Sequence, residues 1–94
     1  MKRTIQVYSD PGHSWGKVSI KTIERLGLIN DISGFSYIRG EFVYLEEDRD
    51  LPLVVNALIN EGHTVKFVEK HTDRESRIRR YDAWYGCLPV NVVY

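Results

Sequence analysis

Among 94 residues there is one cysteine, Cys87, so no disulfide can close within the chain and no cysteine-based zinc module can form. That usage suits a reducing compartment. No apolar run approaches the ~20 residues that a membrane-spanning helix needs. The opening Met1-Lys2-Arg3-Thr4 passes straight into alternation rather than into the apolar core of a signal peptide. The expectation is a soluble, intracellular protein without a membrane partner. Net charge is missing as well: 13 Lys and Arg balance 13 Asp and Glu. No global field draws the chain to nucleic acid or an anionic surface, so any such binding must come from a local patch. There is no glycine-rich phosphate loop, no Gly-x-Ser-x-Gly elbow, no His-Glu-x-x-His and no Cys/His metal spacing. Internal repeats, low-complexity tracts and linker-like composition are absent too, so 1–94 reads as a single domain.

What is present is 43% apolar residues in a recognisable order. Residues 4–9 alternate, with Ile5 and Val7 on one face, and Asp10-Pro11-Gly12 stops that strand. From about Lys17 the spacing of Ile20, Ile23 and Leu26 or Leu28 is helical; Ser19 caps the helix, and Gly27 ends it with Leu28 as its apolar clasp. Phe35 to Ile38 and Glu41 to Glu46 read as a hairpin around Arg39-Gly40. A second helix begins at Asp48 or Asp50, carries Pro52 in its first turn and a stripe of Leu53, Val54, Ala57 and Leu58, and stops at Gly62. His63 to Glu69 makes a fourth strand with Val65 and Phe67 facing inward. Thr72 and Glu75 have capping-box spacing for a third helix bearing Ile78, Tyr81 and Trp84 or Tyr85, before Gly86 and an apolar tail, Leu88 to Tyr94. The order predicts an α+β domain: a ferredoxin-like βαββαβ sheet with its helices on one face, plus a C-terminal helix. The tail has the composition to pair along a sheet edge, within a monomer or across a homodimer.

Two places gather chemistry. The turn Tyr8-Ser9-Asp10-Pro11-Gly12-His13-Ser14-Trp15-Gly16 brings together an acid, an imidazole and an indole. In the expected fold it lies beside Glu46, Glu47 and Asp48 and near two helix N-termini. Asp10, Glu46 or Glu47 with His13 would suit a divalent metal such as Mg²⁺ or Mn²⁺, or a shared proton for acid–base work in a hydrolase. Trp15 would stack on a flat ligand or anchor a protein partner. Structural alternatives stand beside these: Asp10 as a turn former, the Glu46-Glu47-Asp48 run as a solvated strand end and cap, and His13 and Trp15 as core cover. The second place is Arg74, Arg77, Arg79 and Arg80 with Tyr81, Trp84 and Tyr85, a pattern that grips nucleic acid or a protein partner, or simply forms an amphipathic helix. Cys87 has no paired base near it in sequence.

Four strings, Tyr8-Ser9-Asp10-Pro11-Gly12-His13-Ser14-Trp15, Ile32-Ser33-Gly34-Phe35-Ser36-Tyr37, Val43-Tyr44-Leu45-Glu46-Glu47-Asp48 and Ser76-Arg77-Ile78-Arg79-Arg80-Tyr81, resemble a group of small uncharacterised proteins of tailed bacteriophages. In that group Gly often stands at the position of Ser14, and Ser at that of Arg80. The resemblance implies a phage accessory protein in the cytoplasm of an infected bacterial host, and brings no catalytic residues with it. It brings no established activity; by analogy of size and fold, small phage proteins of this build bind and block host macromolecules. The leading expectation is thus a non-enzymatic protein that binds a host protein through the Trp15 corner or the arginine helix, and the alternative is nucleic-acid binding by the arginine helix.

Overall fold

The computed structural model describes residues 1–84. Two helices and a six-stranded mixed sheet follow one another as β1 (Lys2–Ser9), β2 (Ser14–Ser19), α1 (Ile20–Arg25), a 3₁₀ turn (Ile29–Asp31), β3 (Tyr37–Arg39), β4 (Phe42–Glu46), α2 (Asp50–Asn60), β5 (Thr64–His71), a second 3₁₀ turn (Arg77–Arg80) and β6 (Asp82–Ala83). The sheet order is β5-β1-β2-β4-β3-β6, with β1 and β5 parallel and every other neighbouring pair antiparallel. The α+β class holds, but the strand order is not the expected ferredoxin-like one. A β-α-β-β-α-β string exists, yet it starts at β2 rather than β1, and β1 is wedged between β5 and β2. Ser14–Ser19, expected to lead directly into the first helix, is a strand that folds back on β1 across the four-residue turn Asp10–His13.

Where local chemistry decides, the elements end where the residues dictate. Ser19 caps α1, its hydroxyl accepting from the Thr22 amide. Gly27 and Gly62 follow α1 and α2 with φ of 73° and 93°. At each helix end the next residue reaches back, Leu28 to the Ile23 carbonyl and His63 to that of Leu58, closing a Schellman motif. α2 starts at Asp50, one of the two expected positions. Its N-cap position is Arg49, without a side-chain cap, and Asp50 turns its carboxylate sideways to accept from the Ser33 amide and the hydroxyls of Ser33 and Ser36. The buried stripe of α2 is accordingly Leu51, Val54 and Leu58, while Leu53 is exposed.

Side chains of one parity in the strands meet both helices. Ile5, Val7, Val18, Val43 and Leu45 pack there against Ile23 of α1 and Leu51, Val54 and Leu58 of α2. Val65 joins this core, whereas Phe67, on the same face, stays half exposed beside Leu51 and Val55. Gly16 lies where α2 comes closest: a Cβ there would stand 2.5 Å from Leu51 Cδ1. Gly16→Ala should therefore destabilise the protein by about 1–3 kcal/mol through overpacking. Leu51→Ala in the same chain should recover part of that loss, so urea unfolding of the two single variants and the double one will be non-additive.

Among the described residues the opposite face carries no helix. Trp15, Tyr44 and Ile78 form a second core there, with Tyr8, Tyr37 and Tyr81 around it. The expected third helix is replaced by a strap over this core. Thr72 bonds the Ser9 carbonyl through its amide and turns Arg74 through its hydroxyl, instead of closing a capping box with Glu75. Ser76 caps the single turn Arg77–Arg80, Tyr81 is extended, and Ala83 pairs with Tyr37 as part of β6. A continuing helix would carry residues 82–83 away from β3, so pairing at that edge favours extension. Gly86 and the tail Leu88 to Tyr94 lie outside the described residues.

Candidate functional site

Asp10 and the arginine segment, separate places in the sequence, meet. The Asp10 carboxylate is buried and takes five hydrogen bonds: Gly12 and His13 amides on Oδ1, the Ser76 amide on Oδ2, and the Arg79 guanidinium on both oxygens at 2.7 and 3.0 Å. A carboxylate offers about four lone-pair positions, so this one has none left for a metal ion or a proton in transit. The Arg79 fork holds its carboxyl far below the usual range; burial opposes the shift, and the Ser76, His13 and Gly12 amides reinforce it. Asp10 in turn raises the Arg79 guanidinium. Gly12 makes room for the fork, since a Cβ there would stand 2.8 Å from Arg79 Nη2.

Trp15 is closed off in the same way. It is 2% exposed, with Tyr37 edge-on at 6.2 Å, His13 at 6.1 Å and the Arg79 guanidinium 5.3 Å over its ring. An indole so covered is core and neither stacks on a ligand nor anchors a partner. The expected corner also comes apart, because β2 separates β1 from β4. Glu46 pairs with Trp15 across the strands, while Glu47 lies on the helix side beside Ser14, Leu51 and Pro52. Asp10, His13 and the Glu46-Glu47-Asp48 run form no common ligand set, and among the described residues no three His, Cys, Asp or Glu side chains cluster to hold a metal. The arginine group divides: Arg79 is held by Asp10, Arg74 and Arg77 line a cleft, and Arg80 lies near Arg39 and Asp82 on another side of Tyr81. Trp84 belongs to the helix-side core, while Tyr85 and Cys87 lie outside the described residues.

The surface that sequence reading missed is the helix-free face. Register places Lys2 and Tyr8 of β1, Lys66 and Lys70 of β5, Lys17 of β2, Phe42 of β4 and Arg39 of β3 on it together. Among the described residues, of six cations carried by strands only Arg3 is on the helix side, and of three strand carboxylates Glu69 and Asp82 are on the helix side and Glu46 is on this one. A chain with no net charge thus sorts its strand charges by sheet face. Aromatics are interleaved with the cations: Lys17 Nζ stands 4.2 Å over the exposed Phe42 ring, and Arg39 is 5.0 Å from Tyr81. Tyr8, Tyr44 and Tyr81 continue the row, with ring centroids 6.2 and 5.0 Å apart. The Tyr44 phenol is pushed up by burial and by the neighbouring Tyr81 and Tyr8. The signal was in the sequence as Lys66 and Lys70 at even spacing in β5, but only register shows that they share a face with Lys2, Lys17 and Arg39.

No protein-family model matches the chain, and comparison with curated proteins and with solved structures finds no match. Among the described residues no helix is long and apolar enough to cross a membrane.

Proposed function

We propose that this is a non-enzymatic binding protein whose helix-free sheet face holds single-stranded nucleic acid. The observation that carries the reading is the one-sided arrangement of Lys2, Lys17, Arg39, Lys66 and Lys70 around Phe42 and Tyr8 with Glu46 as the one strand carboxylate. Single strands are gripped by cations that follow the backbone and by rings on which unpaired bases stack, and this face offers both. Duplex hides its bases and would leave the rings idle. The resemblance to tailed-phage proteins sets the proposed location, the cytoplasm of an infected bacterium. A host protein, the partner that analogy brings first, would use the Trp15 corner or the arginine segment; Trp15 is buried and Arg79 is held by Asp10, whereas Arg74, Arg77 and Arg80 stay exposed and suit a polyanion equally.

Fluorescence anisotropy with labelled oligo-dT and oligo-U tests this. Affinity should fall with rising salt, and each of Lys17, Lys66 and Lys70 changed to Ala should reduce the salt slope by about 0.7. The triple variant should keep its folding transition, because these side chains lie on the surface. Salt-independent binding, or equal affinity in the triple variant, would overturn the proposal.

A further inference from the structure

The helix-free face ends in a cleft of about 540 Å³ between the ends of β1 and β5 and the strap that follows β5. That volume is in the range of small-ligand pockets. One wall is aromatic, with Tyr8, Tyr44 and Tyr81; the other carries Lys70, Arg74 and Arg77. Arg79, close by, is taken up by Asp10, and the lining carboxylate Glu75 acts on Arg79. Among the described residues Lys70, Arg74 and Arg77 form no ion pair. Three cations without carboxylate partners, facing a nucleotide-sized space with rings opposite, fit an anion joined to a flat group.

Resting on the proposed single-strand reading of the face, we infer that this cleft takes the phosphorylated end of a strand. The terminal base lies on the tyrosines and the terminal phosphomonoester on Lys70, Arg74 and Arg77. A terminal phosphomonoester carries about −1.5 to −2 charge at neutral pH, against −1 for each internal phosphodiester, so three cations favour the end over the middle of a strand. The cleft's position at the limit of the basic face agrees: a strand lying along the face arrives there with its terminus.

Competition anisotropy with ten-nucleotide oligo-dT bearing a 5′-phosphate, a 3′-phosphate or neither, and with free dTMP, tests the inference. One phosphorylated form should bind at least about tenfold more tightly than the unphosphorylated strand, a gain of about 1.4 kcal/mol, and which form gains identifies the end. The gain should vanish in the double variant Arg74→Ala, Arg77→Ala. Both arginines are exposed, so folding should be kept. In Lys17→Ala, Lys66→Ala the gain should persist while overall affinity falls. Equal affinity of all three strands would overturn the end site and leave the face reading standing. Free dTMP binding as tightly as the oligomers would overturn the face reading and leave the cleft standing as a mononucleotide site. Absence of binding by every probe would overturn both.

Discussion

Replacing Trp15 by alanine is expected to lower the unfolding free energy by about 3–5 kcal/mol, the range for emptying a buried aromatic site. Domains of this size are stable by about 5–15 kcal/mol in all, so the variant should unfold at much lower urea. The size of the effect comes from position. Trp15 is 2% exposed at the centre of the helix-free core, and it joins the sheet to the strap through Ile78 and the Arg79 guanidinium, with Tyr37 of β3 edge-on to its ring. Trp15→Phe retains a ring and should cost less than alanine. Urea titrations followed by circular dichroism measure both. A Trp15→Ala midpoint equal to that of the unaltered protein would mean that the indole is not core and would reopen it as a partner anchor.

The features legible in the sequence were those set within a few residues. Ser19, Gly27 and Gly62 mark helix ends through bonds that span five residues or fewer, and each does what its residue type requires. β2 was hidden because it sends buried residues to both faces. Trp15 serves the helix-free core and Val18 the helix-side core, with Gly16 pressed under Leu51 between them. The strand therefore shows no alternation of apolar and polar, and the spacing from Trp15 to Val18 imitates a helix. With β2 missing, β1 and β4 seemed to be neighbours, and the acidic corner followed from that error. The partnership of Asp10 with Arg79 spans 69 residues, and no local pattern announces it. Asp50 begins α2 at one of the two expected positions, but its use as a hook for Ser33 and Ser36 depends on a loop that only the finished sheet brings near.

Charge sorting by sheet face suggests why a neutral chain is built this way. A binding surface for a polyanion needs a local positive field and not a net charge, and compensating acids on the far side limit nonspecific attraction. A cation on the helix side is paired in its turn: Arg25 bonds both oxygens of Glu61 and holds its carboxyl below the usual range, against a desolvation cost.

Asp10→Asn should release the strap and flatten the acid dependence of stability. The amide keeps the shape of the side chain but withdraws the charge on which the Arg79 fork closes, and its NH₂ group faces donors where an oxygen accepted them. The folded carboxyl titrates below its ordinary value of 3.8 because of Arg79. Above that ordinary value both folded and unfolded chains hold Asp10 ionised, and its contribution to stability is complete. As the pH falls further, the unfolded chain takes up the proton first, so stability is lost progressively toward the lower folded pKa. Thermal unfolding between pH 7 and pH 2 should therefore show a steeper acid loss in the unaltered protein than in Asp10→Asn, which should start from a lower melting temperature at neutral pH. Limited trypsin digestion supplies a local readout: with the hook gone, the bonds after Arg77, Arg79 and Arg80 should open to cleavage well before the rest of the domain. Glu61→Gln, which removes an exposed pair, should change little by comparison. If Asp10→Asn kept both the melting temperature and the trypsin resistance of the unaltered protein, the ion pair would not hold the strap. The cleft formed by Lys70, Arg74 and Arg77 would then lack the support that fixes its shape.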